Sequence, residues 1–201
     1  MNRTIVIGLT GGIATGKSTV AGMLLDRGGW IFDADGCVHA LLAPGGKAEQ
    51  IVMNQFPQAI EDGKIDRSLL GKIIFADAEK RKQLEAILHP MVKEEELVFI
   101  ENCRRENAFY AVLEIPLLFE SGADVLCDIT VTTECPYDVQ MVRALERPHM
   151  SKEKFEQIFA SQMTQEERRA KADWVITTGM NTTETRELVD DRLRAVEDME
   201  I

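Results

Sequence analysis

Gly11-Gly12-Ile13-Ala14-Thr15-Gly16-Lys17-Ser18 is the stretch on which the reading of this chain turns. It fits the phosphate-binding pattern G-x-x-x-x-G-K-[ST] at every fixed position. Its setting matters as much as the match. Thr4-Ile5-Val6-Ile7-Gly8-Leu9 precedes it, an apolar and β-branched run of the kind that forms a buried strand. Ser18-Thr19-Val20-Ala21-Gly22-Met23-Leu24-Leu25-Asp26-Arg27 follows, with apolar residues at helical spacing. Strand, glycine loop and helix in that order make the pattern a site.

The chemistry of a phosphate cradle asks for these residue types. Glycines let successive backbone N–H groups curl toward one anion. The helix that follows adds its free N–H groups and the positive end of its dipole. Lys17 is placed to reach the β- and γ-phosphates, and the Ser18 hydroxyl to ligate Mg²⁺. The expected nucleotide contacts are Gly12, Ile13, Ala14, Thr15, Gly16, Lys17, Ser18 and Thr19.

Outward from the loop, strand-like runs recur at 30–33, 109–114, 128–132 and 174–177, with helical sequence between them. Several are almost continuously apolar, as strands buried on both faces are. The alternation predicts an α/β fold with a doubly wound, parallel, five-stranded sheet. Strands two and three are separated by far more sequence than one crossover helix needs, and so are strands four and five. One domain over 1–201 is expected, with core segments 1–33, 108–135 and 165–201, a helical acceptor-binding insertion at about 34–107 and a helical lid at about 136–164. Helix signals agree: Gly28-Gly29 closes the first, and Asp35, Asp66, Asp77 and Ser151 stand at cap positions. Pro90 opens a helix to about 107, Pro136 another through 147, and Thr164-Gln165-Glu166-Glu167 is a capping box. A last amphipathic helix is expected at about 183–199.

Composition narrows the partners. The net charge of −11 sets the chain against nucleic-acid phosphates, so a phosphate site must be a local basic focus in an acidic field. Small-molecule substrates are the expected partners, with neither nucleic acid nor membrane. Cys37, Cys103, Cys127 and Cys135 form no C-x-x-C pair, which points to free thiols in a reducing compartment. No apolar run is long enough for a membrane span or a signal peptide core, so a cytoplasmic location is expected. Oligomeric state is not readable, and a monomer is the working expectation.

Four further groups have the chemistry to act. Asp33, ending the second strand, can accept a proton from an attacking hydroxyl, or merely end the strand. Arg143 and Arg147, four apart on one expected helix, can clamp phosphates or simply line a solvated face. Glu114, ending the third strand, can act through water on Mg²⁺. Arg67 and His89 sit in the insertion; Arg67 can meet a substrate phosphate, and His89 is equally a helix cap before Pro90. Asp33-x-x-Gly36 also fits a GTPase switch signature, though the chain has no Asn-Lys-x-Asp motif for guanine.

Taken in order, these residues resemble the dephospho-coenzyme A kinase family over nearly the whole chain. The likeness is carried by Ile7 to Ile13 with Gly16-Lys17-Ser18, by Asp33-Ala34-Asp35, and by Ile65-Asp66-Arg67 with His89-Pro90. It continues through Glu114-Ile115-Pro116-Leu117-Leu118-Phe119-Glu120, through Gln140, Arg143, Arg147, Ser151 and Gln162, and through Ala172-Asp173-Trp174-Val175-Ile176. There are departures: Ala14-Thr15 stands where Gly-Ser is usual, Thr177-Thr178 where an Asn is usual, and no Arg precedes Ser161-Gln162. The resemblance implies a phosphotransferase that uses ATP and Mg²⁺ to phosphorylate the ribose 3′-hydroxyl of dephospho-CoA, the last step of coenzyme A synthesis. Asp33 would be the base; Lys17 and Arg143 would stabilise the transferring group with Arg147 close by; Arg67, His89 and Glu114 would serve the substrate side. Two rivals remain at this point: another small-molecule or nucleoside monophosphate kinase of the same fold, and a nucleotide-dependent switch protein.

Overall fold

The computed structural model describes residues 3–179 and 181–197. In chain order its elements are β1 (Ile5–Gly11), α1 (Lys17–Asp26), β2 (Trp30–Asp33), α2 (Ala34–Leu42), α3 (Glu49–Gln55), β3 (Ile60–Glu61), β4 (Lys64–Ile65), α4 (Arg67–Ala76), α5 (Ala78–Arg105) and β5 (Tyr110–Glu114). There follow α6 (Leu118–Ser121), β6 (Ile129–Glu134), α7 (Tyr137–Leu145), α8 (Lys152–Ser161), α9 (Gln165–Lys171), β7 (Trp174–Thr177) and α10 (Thr182–Glu197). The expected last helix runs on to 199, and that end lies outside the described residues.

The expected parallel five-stranded sheet is present, in the order β2-β5-β1-β6-β7. β1 lies at its centre, parallel to β5 with Leu9 opposite Glu114 and to β6 with Gly11 opposite Thr133. Every residue of β1 and β5 is buried, which explains their unbroken apolar character. Ile5, Ile7 and Leu9 meet Val20 and Leu24 of α1, Tyr110 and Val112 of β5, and Val189 and Leu193 of α10 in one core.

The chain divides into two compact units, Asp33–Phe99 and the remainder. The smaller has its own apolar centre of Leu41, Leu42, Val52, Phe56, Leu70, Leu84 and Leu88. It also contains a two-stranded antiparallel pair, β3 with β4, that the sequence reading did not include. Two-residue strands carry too little periodicity to be seen.

Local signals fared unevenly here. Asp66 accepts from the Leu69 N–H at 2.8 Å and caps α4, and Asp77 accepts from Glu79 and Lys80. Pro90, however, opens nothing: it sits inside the continuous helix α5. It has no N–H for the carbonyl one turn back, a cost of about 3 kcal/mol in a helix interior. Leu84, Ile87, Leu88, Met91 and Val92 all reach the unit's core from both sides of the proline, and that packing holds the helix together. His89 is therefore an exposed mid-helix residue and not a cap.

Candidate nucleotide site

The glycine loop leaves the carboxyl end of β1 and turns into α1 at Gly16, whose φ of 83° is left-handed. A side chain there would be strained and would also meet Thr178 at about 3.0 Å. Ala14 too has a positive φ, 57°, an uncommon conformation for a residue with a Cβ. The loop is tied from within by Thr15, whose hydroxyl donates to the Gly12 carbonyl at 2.9 Å and lies 2.7 Å from that of Thr133.

Two side chains then face one carboxylate. Lys17 Nζ donates to Glu114 Oε1 at 2.6 Å, and the Ser18 hydroxyl donates to the same oxygen at 2.9 Å. Glu114 ends β5 beside the central strand, so the sheet itself sets this meeting. The pair is well sheltered, at 16% and 11% side-chain exposure, so salt and water screen it less than a surface ion pair. Ser18 and Thr19 are exposed.

From the other side, Gln140 donates to the Ile13 carbonyl at 2.9 Å, and the Gln162 carbonyl oxygen accepts from the Ile13 N–H at 2.8 Å. Ile13 and Ala14 share an apolar cluster with Ala144 and Phe155, flanked by Met141, Ile158 and Phe159. Tyr137 joins it, 5.5 Å from the Phe155 ring and 5.1 Å from that of Phe159.

Arg143 does not stand free on its helix. Its guanidinium donates to the Thr178 carbonyl at 2.7 Å and to the Thr178 hydroxyl at 3.2 Å. Thr178 in turn donates to the Thr15 carbonyl at 2.5 Å, so Arg143 reaches the loop through one intermediary. Cys135 lies beside them, and burial pushes its thiol up against the opposing pull of Arg143. Arg147 is a correction to the sequence reading: α7 ends at Leu145, and Arg147 is an exposed residue beyond it. Pro148 explains this, because the residue before a proline is disfavoured in helical conformation. The two arginines therefore do not share a helix face.

Asp33 also departs from expectation. The cap of α2 is Asp33 and not Asp35: its Oδ1 accepts from the Asp35 N–H at 3.0 Å. That contact holds one carboxylate oxygen at the end of β2, and the residue is exposed. Arg67 is the first residue of α4 and exposed, and its side chain, like that of exposed His89 in α5, makes no hydrogen bond or ion pair among the described residues. Sequence reasoning missed Gln140 and Gln162 as loop holders, and it missed Arg168. Arg168 is 4% exposed beneath Gly12. A basic residue within a helix gave no signal of burial.

A glycine loop on the central strand of a parallel sheet, with its lysine and serine converging on a strand-end carboxylate, defines a P-loop nucleotide-binding protein. The comparisons carry this further. The dephospho-CoA kinase family model matches residues 5–184. The chain is 40% identical over 174 residues to the dephospho-CoA kinase of Brucella melitensis, covering 87% of this chain and 86% of that one. It is 42% identical over 186 residues to that of Mesorhizobium japonicum, covering 92% and 93%. The protein TT1252 of Thermus thermophilus superposes with a TM-score of 0.85 at 33% identity, over 96% and 98% of the two chains. Dephospho-CoA kinase from Campylobacter jejuni follows at 0.73 and 27%, over 98% of each. Shikimate kinase from Acinetobacter baumannii, at 0.54 and 18% over 100% and 97%, shares the fold alone. This chain belongs to the dephospho-CoA kinase family.

Proposed function

We propose that the chain transfers the γ-phosphoryl group of ATP to the ribose 3′-hydroxyl of dephospho-CoA, releasing coenzyme A and ADP. The observation that carries this is the family match over 5–184, which spans the loop, the 33–99 unit and the last strand together. The rival kinases share the architecture without that match, and the switch reading rested on Asp33-x-x-Gly36 alone. No helix among the described residues is long and apolar enough to cross a membrane. A cytoplasmic enzyme acting as a monomer on small molecules is part of the same proposal.

In this reading the backbone from Gly12 to Thr19 holds the ATP phosphates, and Lys17 exchanges Glu114 for the β- and γ-phosphate oxygens. Ser18 and Glu114 present hard oxygen donors side by side, the set that suits Mg²⁺. The remaining ligands of such an ion would be phosphate oxygens and water. When bound, Mg²⁺ would offset phosphate charge.

Asp33 takes the proton from the 3′-hydroxyl as the new P–O bond forms and the bond to ADP breaks. Its free carboxylate oxygen serves, because the other is held by the Asp35 N–H. Lys17 and Arg143 stabilise the charge on the transferring group, with Arg143 leaving the Thr178 carbonyl to do so, and Arg147 supplies a further cation. Arg67 and His89, exposed in the smaller unit, meet the acceptor. The insertion at about 34–107 is the acceptor-binding part and the segment at about 136–164 the lid. The test is ADP release from ATP and Mg²⁺ with dephospho-CoA, beside AMP, CMP, UMP, shikimate and no acceptor. Release that requires dephospho-CoA supports the proposal, and release with another acceptor overturns the substrate.

A further inference from the structure

Arg168 is the most unusual charged side chain in the molecule. It lies on α9, whose start is fastened by a reciprocal cap: Thr164 accepts from the Glu167 N–H, and the Glu167 carboxylate accepts from the Thr164 N–H. From there the side chain runs inward until only 4% of the residue is exposed. One terminal nitrogen donates to the Met163 carbonyl. The Nε–H is buried with no partner, and no ion pair reaches the guanidinium among the described residues. Glu120, Glu167 and Glu166 act on it only through space, and burial pulls it below the ordinary arginine range despite them.

A buried cation without a contact carboxylate is costly, and chains rarely keep one without a counter-charge. Its position says where that charge comes from. The other terminal nitrogen lies under the phosphate loop, so close that a Cβ at Gly12 would stand 2.6 Å from it. The amide nitrogen of Gln140 would lie 3.4 Å from the same Cβ, and the Gln140 carbonyl oxygen is also buried without a partner. The space beneath Gly12 thus holds a cation that the folded chain alone leaves incompletely satisfied.

We propose that Arg168 is a fixed cation of the nucleotide site, whose charge is balanced by the polyphosphate of the bound nucleotide and not by a carboxylate of the chain. This rests on the reading of the loop as an ATP site. It answers a problem set by the net charge of −11, which otherwise repels a polyanion. At short range inside a protein, a sheltered charge acts on an anion more strongly than an exposed one. The role is one of binding and positioning, and the contacts to the reacting atoms are those proposed for Lys17, Arg143 and Asp33.

Three variants separate charge from bracing. Arg168→Gln keeps hydrogen-bond donors and removes the charge, Arg168→Lys keeps the charge, and Arg168→Met removes both. Binding of ATP and of ADP is measured by titration calorimetry, and the ligand-free melting temperature by calorimetric scanning. The expected result is a loss of about tenfold or more in affinity for both nucleotides in R168Q, with R168K within about threefold of wild type. R168M should melt no lower than wild type without ligand, since it removes an unbalanced charge. R168Q that folds and binds ATP as wild type does overturns the proposal. So does R168K as weak as R168Q, which would make the residue a brace of fixed shape. Failure of the wild type itself to bind ATP would overturn the nucleotide site, and the proposal with it.

Discussion

The groups around the phosphate loop are held, and the candidate acceptor groups of the smaller unit are not. Lys17 and Ser18 share one oxygen of Glu114, Arg143 rests on Thr178, and Ile13 has both backbone polar groups engaged by side chains. Arg67 and His89, by contrast, are exposed and without hydrogen bonds or ion pairs among the described residues. The difference teaches where each region draws its precision. The loop is organised by the sheet before any ligand arrives, whereas nothing among the described residues fixes the side chains of Arg67 and His89.

The severest test is Asp33→Asn, because Asp33 belongs to the exposed set yet is assigned the proton transfer. Turnover should fall about 10²–10⁴-fold with ATP affinity kept, the range for removing a general base. A mutant with unimpaired ADP release would leave Asp33 as a cap and nothing more. Arg143→Ala comes next. It should cost on the order of 10²–10³ in kcat with little change in KM for ATP, as for a lost electrostatic stabiliser, and unchanged turnover would strike it from the mechanism.

Arg67→Ala should then show the opposite pattern, about a tenfold rise in KM for dephospho-CoA from one lost charge-assisted hydrogen bond. Its melting temperature should not move, since nothing in the fold holds this side chain; a drop would mean that Arg67 is structural. Thr164→Ala should lower stability by about 1 kcal/mol, the usual worth of a helix cap, as read from a urea midpoint. It also has a pH signature. The Thr164 N–H and hydroxyl hold the Glu167 carboxyl below its ordinary 4.5, so that part of stability is full above pH 4.5 and is lost as pH falls below it. Alanine keeps the N–H, the larger cause, and loses the hydroxyl, so the mutant's acid limb should be slightly flatter and not abolished. The smallest effect is Ala14→Gly. Relief of a left-handed alanine is worth about 1 kcal/mol, partly offset by glycine's freedom in the unfolded chain, so a slight rise in melting temperature is expected.

The two regions also differed in how far they could be read from sequence. The five strands, the glycine loop and the caps at Asp66, Ser151 and Thr164 were legible, because each depends on neighbours a few residues away. The meeting of Lys17 with Glu114 joins residues far apart in the chain and follows from strand order, which no local pattern contains. Pro90 misled for a related reason: its local signal for a helix start was overruled by the apolar residues on both sides that the smaller core required. The sequence placed the cap of α2 at Asp35, and the backbone turn after β2 gives it to Asp33 instead.

Gln140 and Gln162 grip the same residue, Ile13, from opposite ends of the stretch between them. In polymer terms that stretch is a loop closed on a single point. The entropy of bringing its ends together is already lost in the folded enzyme, and such a cost grows only slowly with loop length. Insertions between α7 and α8 should therefore be tolerated far better than a change at either glutamine. An insertion there would lengthen the segment while its two ends stay where they are.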